Sequence, residues 1–161
     1  MAPIKIGDPI PNVPVKVFDG TSLQDISMGD FCATGTIVLF AVPGAFTPAC
    51  SARHLPGFLE HADALKAKGV DRIACIAVND AFVMSAWCRV NQACGKVLML
   101  ADGNAEFAQA AGLSSDASAW GMGIRSQRYA MVIKDGSVQH IFVDPPGAFE
   151  VSAAQHVLKY L

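Results

Sequence analysis

The sequence predicts an α/β sandwich, in which a central mixed β-sheet is flanked by helices. Continuous apolar runs at residues 37–42 and 73–78 are typical of central strands that are buried on both faces. Between them, residues 48–68 have a helical pattern that ends before Gly69. The runs 129–134 and 137–143 flank a turn and predict a hairpin. Strand-helix-strand order followed by a hairpin favours a mixed sheet between helices.

The remaining segments fit the same architecture. Further elements are predicted as a helix over 80–93 with Asp80 as its N-cap, a strand over 97–100, a helix over 104–111 and a terminal helix over 151–160. The first thirty residues carry four prolines and predict short extended pieces and turns over the core. Pro56 should kink or break the helix over 48–68. The thioredoxin-like architecture has this order of elements.

Length and composition limit the number of domains and the classes of function that the chain can have. With 161 residues, of which 52% are hydrophobic and 16% charged, the chain predicts one domain over residues 1–161 with a substantial core. A net charge of −2 provides no basic field for nucleic acid or for an anionic membrane surface. The longest apolar run, residues 37–43, is far shorter than the ~20 residues that span a bilayer. The N-terminus lacks the pattern of a secretory signal, so we expect a soluble, cytoplasmic protein.

The five cysteines are predicted to be free thiols. They are Cys32, Cys50, Cys75, Cys88 and Cys94. An odd number without framework spacing favours a reducing compartment, and any single one is more often a small core residue than a chemical group. No C-x-x-C is present, and the spacing of Cys88 and Cys94 is wider than common zinc spacings, so no metal is expected.

One cysteine, Cys50, is predicted to lie where the backbone stabilises a thiolate. Residues 43–50 follow the first apolar run, at the carboxyl end of a strand, where α/β sheets place their ligand crevices. Pro48 suits the first helical position, which makes Thr47 the N-cap and Cys50 the third helical residue. Backbone N–H groups and the helix dipole there stabilise a thiolate, the nucleophilic form of cysteine.

The segment around Cys50 also resembles a known family. Its residues, Pro43-Gly44-Ala45-Phe46-Thr47-Pro48-Ala49-Cys50, match P-x-x-x-T-x-x-C, the active-site signature of peroxiredoxins. With Ser51 and the run His54-Leu55-Pro56-Gly57-Phe58, the chain resembles the peroxiredoxin 5 (type II, atypical) subfamily. Further similar segments lie at 78–84 and 125–130, and the resemblance covers essentially the whole chain. It implies a thioredoxin-like fold, a homodimer, and reduction of hydroperoxides without a metal or an organic cofactor.

The resemblance assigns four roles. Cys50 is implied to be the peroxidatic nucleophile, whose sulfur becomes a sulfenic acid. Thr47 is implied to orient the peroxide and contact the sulfur, and Arg128 to stabilise the thiolate and the developing oxyanion. Pro43 is implied to shield the site from water. The chemistry requires these functions, since O–O cleavage needs an activated thiolate, in-line placement and oxyanion stabilisation.

The sequence leaves two alternatives for the thiol that reduces the sulfenate. Cys75 matches the second cysteine of plant-type members, but burial of a small side chain in an apolar strand is the favoured explanation. Animal-type members have a resolving cysteine in the C-terminal loop, and no cysteine follows Cys94 here. Resolution is expected from an external thiol such as glutathione or glutaredoxin; a thioredoxin-dependent cycle through Cys75 is the alternative. Cys32 and Cys88 match no functional position of the family, and neither does Cys94.

Two other functions fit parts of the pattern. His54 lies four residues after Cys50, so a cysteine hydrolase with a Cys50–His54 pair is conceivable. The blander interpretation is that His54 hydrogen-bonds a nearby backbone group and braces the kink at Pro56, and that Arg53 is a solvated or interface residue. A redox-sensing interaction module, which oxidises once and does not turn over, is the non-enzymatic alternative.

Overall fold

The structure is a computed structural model that describes residues 2–161, with the exception of the Cys50 side chain. Predictions about the Cys50 sulfur therefore lie outside the described residues. The strands are β1 (Pro14–Phe18), β2 (Leu23–Ser27), β3 (Thr36–Ala41), β4 (Arg72–Ala77), β5 (Leu98–Ala101), β6 (Ser114–Asp116), β7 (Ile124–Ser126), β8 (Tyr129–Lys134) and β9 (Ser137–Val143). The α-helices are α1 (Met28–Phe31), α2 (Leu55–Glu60), α3 (Ala62–Ala67), α4 (Ala81–Val90), α5 (Glu106–Ala110) and α6 (Ala154–Leu158).

Seven of the described strands form one mixed sheet, in the order β2-β1-β5-β4-β3-β8-β9. The three central strands β5, β4 and β3 are parallel, and the strands on both sides of them pair antiparallel. This arrangement confirms the predicted mixed sheet and the β8–β9 hairpin. The first thirty residues contribute more than was predicted, because β1 and β2 form a hairpin that extends the sheet.

The core lies on both faces of this sheet. Val38 and Phe40 of β3 belong to one buried cluster, whereas Ile37 and Leu39 belong to the other. Alternate side chains of β3 are therefore buried on opposite faces, which explains the continuous apolar run. The carboxyl end of β3 leads directly into the segment that begins at Pro43.

The helical segment predicted over 48–68 is present, and it is interrupted near Pro56 as predicted. The segment begins helical at Pro48 as predicted, but it widens into a π-helix at Cys50–His54 and continues as α2 and α3, with His61 in a turn between them. In a regular α-helix the Pro56 ring would collide with the carbonyl of residue 52. The π turn ends at His54, and Pro56 lies in the first turn of α2, where proline is tolerated. Such π turns are frequent at functional sites.

Two helices near the site have ends that differ from the predictions. Asp80 is the N-cap of α4, because its carboxylate accepts a hydrogen bond from Val83 N at 2.8 Å, but α4 ends at Val90 rather than near residue 93. Helix α6 starts only at Ala154. The N–H groups of Val151 and Ser152 donate instead to the Asp144 carboxylate, which draws this stretch out of the helix.

The prediction of free thiols is wrong for two cysteines. Cys88 and Cys94 form a disulfide, with Cα atoms 5.4 Å apart. After α4 ends, Gln92 adopts φ 55°, and the chain reverses so that Cys94 returns to the helix. Cys32 is buried in the core, and burial raises the pKa of its thiol to about 11.

None of the described helices is long and apolar enough to cross a membrane. The two-stranded sheet of β6 and β7 was not predicted, since three-residue strands carry too little periodicity to detect.

Candidate active site

A cleft of about 970 Å³ opens beside the carboxyl end of β3. Three segments that are distant in sequence line it, with contributions from residues 43–53, 115–128 and 144–149. Pro43, Thr47 and Arg128, which the sequence analysis selected, all lie on its wall. The helical segment that carries Cys50 begins at the same wall.

The loop before this helix has a tightly fixed backbone. Ala45 N donates to Asn79 Oδ1 at 2.9 Å, which ties the loop to the end of β4. Phe46 adopts φ 66°, in the left-handed region that side chains other than glycine seldom occupy and that costs on the order of 1–3 kcal/mol. At Gly44 an added Cβ would lie 3.1 Å from Arg125 Nη1 and 3.2 Å from the Thr47 methyl group. A side chain at position 44 would therefore require these neighbours to shift by a few tenths of an ångström.

Thr47 immediately precedes the helix, as predicted. Oγ1 donates to the Gly44 carbonyl at 2.6 Å. The hydroxyl proton is thereby committed, and the oxygen lone pairs are left to accept a hydrogen bond from a ligand. That Thr47 contacts the Cys50 sulfur and orients the peroxide stays a prediction.

The backbone places Cys50 at the third helical residue, as predicted from Pro48. Ser51 N donates to the Thr47 carbonyl at 2.9 Å, and Ser51 Oγ accepts a hydrogen bond from Trp87 Nε1 at 2.9 Å. Trp87 is fully buried on α4, so the first turn of the helix is held from the opposite side by a rigid side chain.

His54 is buried and neutral. Nε2 lies 3.0 Å from the Ser152 carbonyl and Nδ1 lies 2.9 Å from Arg128 Nη1. A carbonyl only accepts and a guanidinium only donates, so Nε2 carries the proton and Nδ1 presents its lone pair. Burial and the positive charge of Arg128 lower the pKa of His54 to about 3.

This geometry decides between the two interpretations of His54. Both ring nitrogens are engaged, one by Ser152 and the other by Arg128, so neither is left to remove a proton from a thiol. The Cys50–His54 hydrolase pair is not supported. The alternative, a histidine that hydrogen-bonds backbone, is correct, and the carbonyl it binds lies 98 residues away in sequence.

Four residues close a hydrogen-bonded circuit, and we use this name for Arg128, His54, Ser152 and Asp144 together. Arg128 Nη1 donates to His54, and His54 donates to the Ser152 carbonyl. Ser152 Oγ donates to Asp144 Oδ2 at 2.6 Å. Asp144 N then donates to the Arg128 carbonyl at 2.9 Å. The circuit therefore fixes the side chain and the backbone of Arg128 at the same time.

Asp144 organises the segment that follows it. Burial by itself would raise the pKa of this carboxyl, but hydrogen bonds from the Ser152 hydroxyl and from the N–H groups of Glu150, Val151 and Ser152 keep its pKa below the ordinary range. An ionised carboxylate that accepts several N–H and O–H bonds is strongly stabilised. Residues 144–152 are thus shaped around one buried negative charge.

Phe149, in this segment, forms one edge of the cleft. Its ring lies 4.9 Å from the His54 ring, and the guanidinium carbons of Arg53 and Arg128 lie 4.9 Å and 5.9 Å from its centroid. Cation–π contacts of this kind contribute about 0.5–1 kcal/mol at exposed sites. Arg53 is exposed, as expected, and its contact is with Phe149.

Cys75 is not brought to the cleft. It is fully buried on β4, in register with Phe40 of β3 and Met99 of β5. Asp144, Ser152 and Phe149 are the contributors that sequence reasoning missed. Nothing local marks them, because the contacts of Ser152 with His54 and Asp144, and the turn that Asp144 holds, form only in the folded chain.

The described residues contain no group of three or more histidine, cysteine or acidic side chains that could hold a metal ion. The cleft instead presents the side chains of Arg53, Arg125 and Arg128, the Thr47 oxygen and the start of a helix. These groups suit a small neutral or anionic oxygen-containing ligand.

Replacing His54 by glutamine should flatten the pH dependence of stability. The folded chain protonates His54 only near pH 3, whereas the unfolded chain does so near 6.5, so the stability from neutral His54 is complete above pH 6.5 and is lost as the pH falls towards 3. We expect the wild-type chain to lose about 2 kcal/mol more than His54→Gln between pH 7 and pH 5, measured by urea unfolding. Equal losses in both proteins would contradict the neutral His54.

Comparison with known proteins identifies the family. A family model described as Redoxin matches residues 5–158. Peroxiredoxin-2B of Arabidopsis thaliana is 44% identical over 162 residues, which cover 100% of both chains. The crystal structure of peroxiredoxin 5 from Alvinella pompejana is 36% identical, with a TM-score of 0.86 over 98% of this chain and 97% of that one.

A bacterial structure is closer in shape. Reduced Prx3 from Vibrio vulnificus, crystallised in complex with H2O2, is 47% identical and has a TM-score of 0.93. The match covers 98% of this chain and 95% of that one. These matches confirm the thioredoxin-like fold and the resemblance that the segment around Cys50 predicted. The chain belongs to the peroxiredoxins of type II, the group of Peroxiredoxin-2B and peroxiredoxin 5, and is a thiol peroxidase.

Proposed function

We propose that this thiol peroxidase reduces hydrogen peroxide and small organic hydroperoxides at Cys50, with Thr47, Arg128 and Pro43 as the other active-site residues. The observation that carries the proposal is that one cleft unites the last three residues with the start of the helix that bears Cys50. The Vibrio vulnificus Prx3 was crystallised with H2O2, which supports peroxide as the substrate.

The proposed reaction is a displacement on oxygen. The Cys50 thiolate attacks the terminal peroxide oxygen, the O–O bond breaks, and the distal oxygen leaves as alkoxide or hydroxide and takes up a proton. Sulfur is oxidised to sulfenic acid and the peroxide is reduced to alcohol or water. The Thr47 oxygen accepts from the peroxide O–H, since its own proton is bound by Gly44. The Arg128 guanidinium stabilises the charge on the thiolate and on the leaving oxygen.

The circuit explains how Arg128 serves this role. A guanidinium presents its donors in a rigid planar fork, so its orientation decides where they point. Neutral His54 fixes that orientation through Nδ1 without adding a second positive charge beside the thiolate. Preorganised donors of this kind do not reorient during the reaction, which is the source of their catalytic effect.

We propose a one-cysteine cycle in which glutathione, with glutaredoxin, reduces the sulfenate. Cys75 lies inside the sheet, between β3 and β5, and reaching a disulfide partner within about 7 Å would break ladder hydrogen bonds. The burial of Cys75 disfavours the thioredoxin-dependent alternative. A thiol-dependent cycle also favours a reducing compartment, and we place the protein in the cytoplasm.

We further propose that residues 1–161 form one domain and that the protein is a homodimer. Both core clusters lie on a single sheet, which supports the first point. Phe46 and Phe82 are 52% and 56% exposed, although aromatic side chains of this size are seldom left in water, which supports a contact with a second copy.

Cys50→Ser should abolish peroxide turnover, because the nucleophile is lost. Cys75→Ser, as the matched control, should retain turnover with glutathione and glutaredoxin. Peroxide consumption in a coupled assay measures both variants. Activity in Cys50→Ser would contradict the nucleophile, and loss of activity in folded Cys75→Ser would favour the alternative cycle. A single oxidation without turnover by the wild type would identify a redox-sensing module instead.

Thr47→Val should slow oxidation by about ten- to a hundredfold, since one hydrogen bond in the transition state is lost, whereas Thr47→Ser keeps it. Stopped-flow oxidation measures this effect.

Arg128→Ala should raise the pKa of Cys50, because the positive charge beside the thiolate is removed. The pH dependence of the alkylation rate measures this pKa. An unchanged alkylation profile in Arg128→Ala would refute its role.

A further inference from the structure

We propose that Cys88 and Cys94 form a second redox site, which exchanges electrons with low-molecular-weight thiols that carry carboxylates. The site is independent of Cys50, since it lies on α4 and the turn that follows it. Neither cysteine matches a functional position of the peroxiredoxins, so the pair has no role in the proposed peroxidase cycle.

The two sulfurs differ in access. The Cα separation of 5.4 Å is within the range of native disulfides, and only six positions of chain separate the residues. Cys88 is 7% exposed, whereas Cys94 lies in the exposed turn after the helix. A thiolate from solution therefore reaches Cys94 and not Cys88, which defines the sulfur that is attacked.

A groove of about 730 Å³ adjoins the pair, and both cysteines contribute to its wall. Four cationic side chains also line it, namely Lys66, Arg72, Arg89 and Lys96. Among the described residues none of these four forms a salt bridge. The groove is large enough for a tripeptide-sized ligand, and its charge favours a negative one.

The two carboxylates in the groove have other partners. Asp71 Oδ2 accepts from Thr36 N at 2.8 Å. Asp19 accepts from the N–H groups of Thr21 and Ser22 in its own turn, at 2.8 and 2.7 Å. Both carboxylates are thus directed to backbone N–H groups, and the four cations outnumber them. Carboxylates of a bound thiol would complete the charge balance.

The exchange has two steps. The thiolate of the small thiol attacks Cys94 Sγ, a mixed disulfide forms, and Cys88 leaves as a thiolate that takes up a proton. A second thiolate then attacks the sulfur of the bound small thiol, which releases the free small-molecule disulfide and Cys94. The protein gains two electrons and two protons, and two small thiols are oxidised to one disulfide. The reverse reaction oxidises the pair.

The test compares thiols of different charge on a Cys50→Ser background, so that its outcome does not depend on the proposed active site. The protein is first oxidised with diamide, then treated with glutathione, mercaptoethanol or cysteamine at equal thiolate concentrations. Alkylation followed by mass spectrometry measures the rate at which Cys88 and Cys94 become thiols. We expect glutathione to react at least about threefold faster than the neutral thiol and cysteamine to react slowest, with the preference lost in high salt.

Matched variants separate the groove from overall charge. Arg89→Gln with Lys96→Gln should abolish the preference for glutathione, while Lys134→Gln with Lys159→Gln, which removes the same charge from exposed positions outside the groove, should preserve it. Trapped adducts should lie on Cys94. Equal rates for all three thiols, an equal loss in both double variants, adducts on Cys88, or failure of the pair to oxidise would each overturn the proposal.

Discussion

The site depends on one hydrogen bond between two groups that both readily carry positive charge. Arg128 donates to His54, and this is possible only while His54 is neutral and its proton is on Nε2. The Ser152 carbonyl enforces that tautomer, and burial with the charge of Arg128 lowers the pKa of the ring. Ser152 is held by Asp144, whose backbone returns to Arg128. Loss of any member leaves a buried polar group without its partner.

The fold brings these groups together from four parts of the chain. His54 ends the π-helix that follows β3, and Arg128 directly precedes β8, the strand that pairs with β3. Asp144 follows β9, the partner of β8, and Ser152 lies before α6. The antiparallel strands β8 and β9, added to the parallel strands of the centre, therefore bring the Arg128 guanidinium and the Asp144 carboxylate to the helical segment that carries His54. The predicted mixed sheet has this direct functional consequence.

How much of the structure can be predicted from the sequence depends on whether the residues that determine a feature are close together in the chain. The apolar run of β3, the turn Asp135-Gly136 and the position of Pro48 are local, and each predicted the structure correctly. The π turn before Pro56 was not predictable, since proline indicates a break and not its geometry. The role of Asp144 and the pairing of Cys88 with Cys94 depend on where the folded chain reverses direction. The periodicity of the sequence does not indicate these positions.

The state of His54 is the most direct measure of this account, because Arg128 is oriented through its lone pair. Nitrogen-15 NMR of the imidazole reports both protonation and tautomer between pH 5 and pH 8. The account predicts a neutral ring with the proton on Nε2 throughout this range, consistent with a pKa near 3. A midpoint of protonation near 6.5, or a proton on Nδ1, would contradict it.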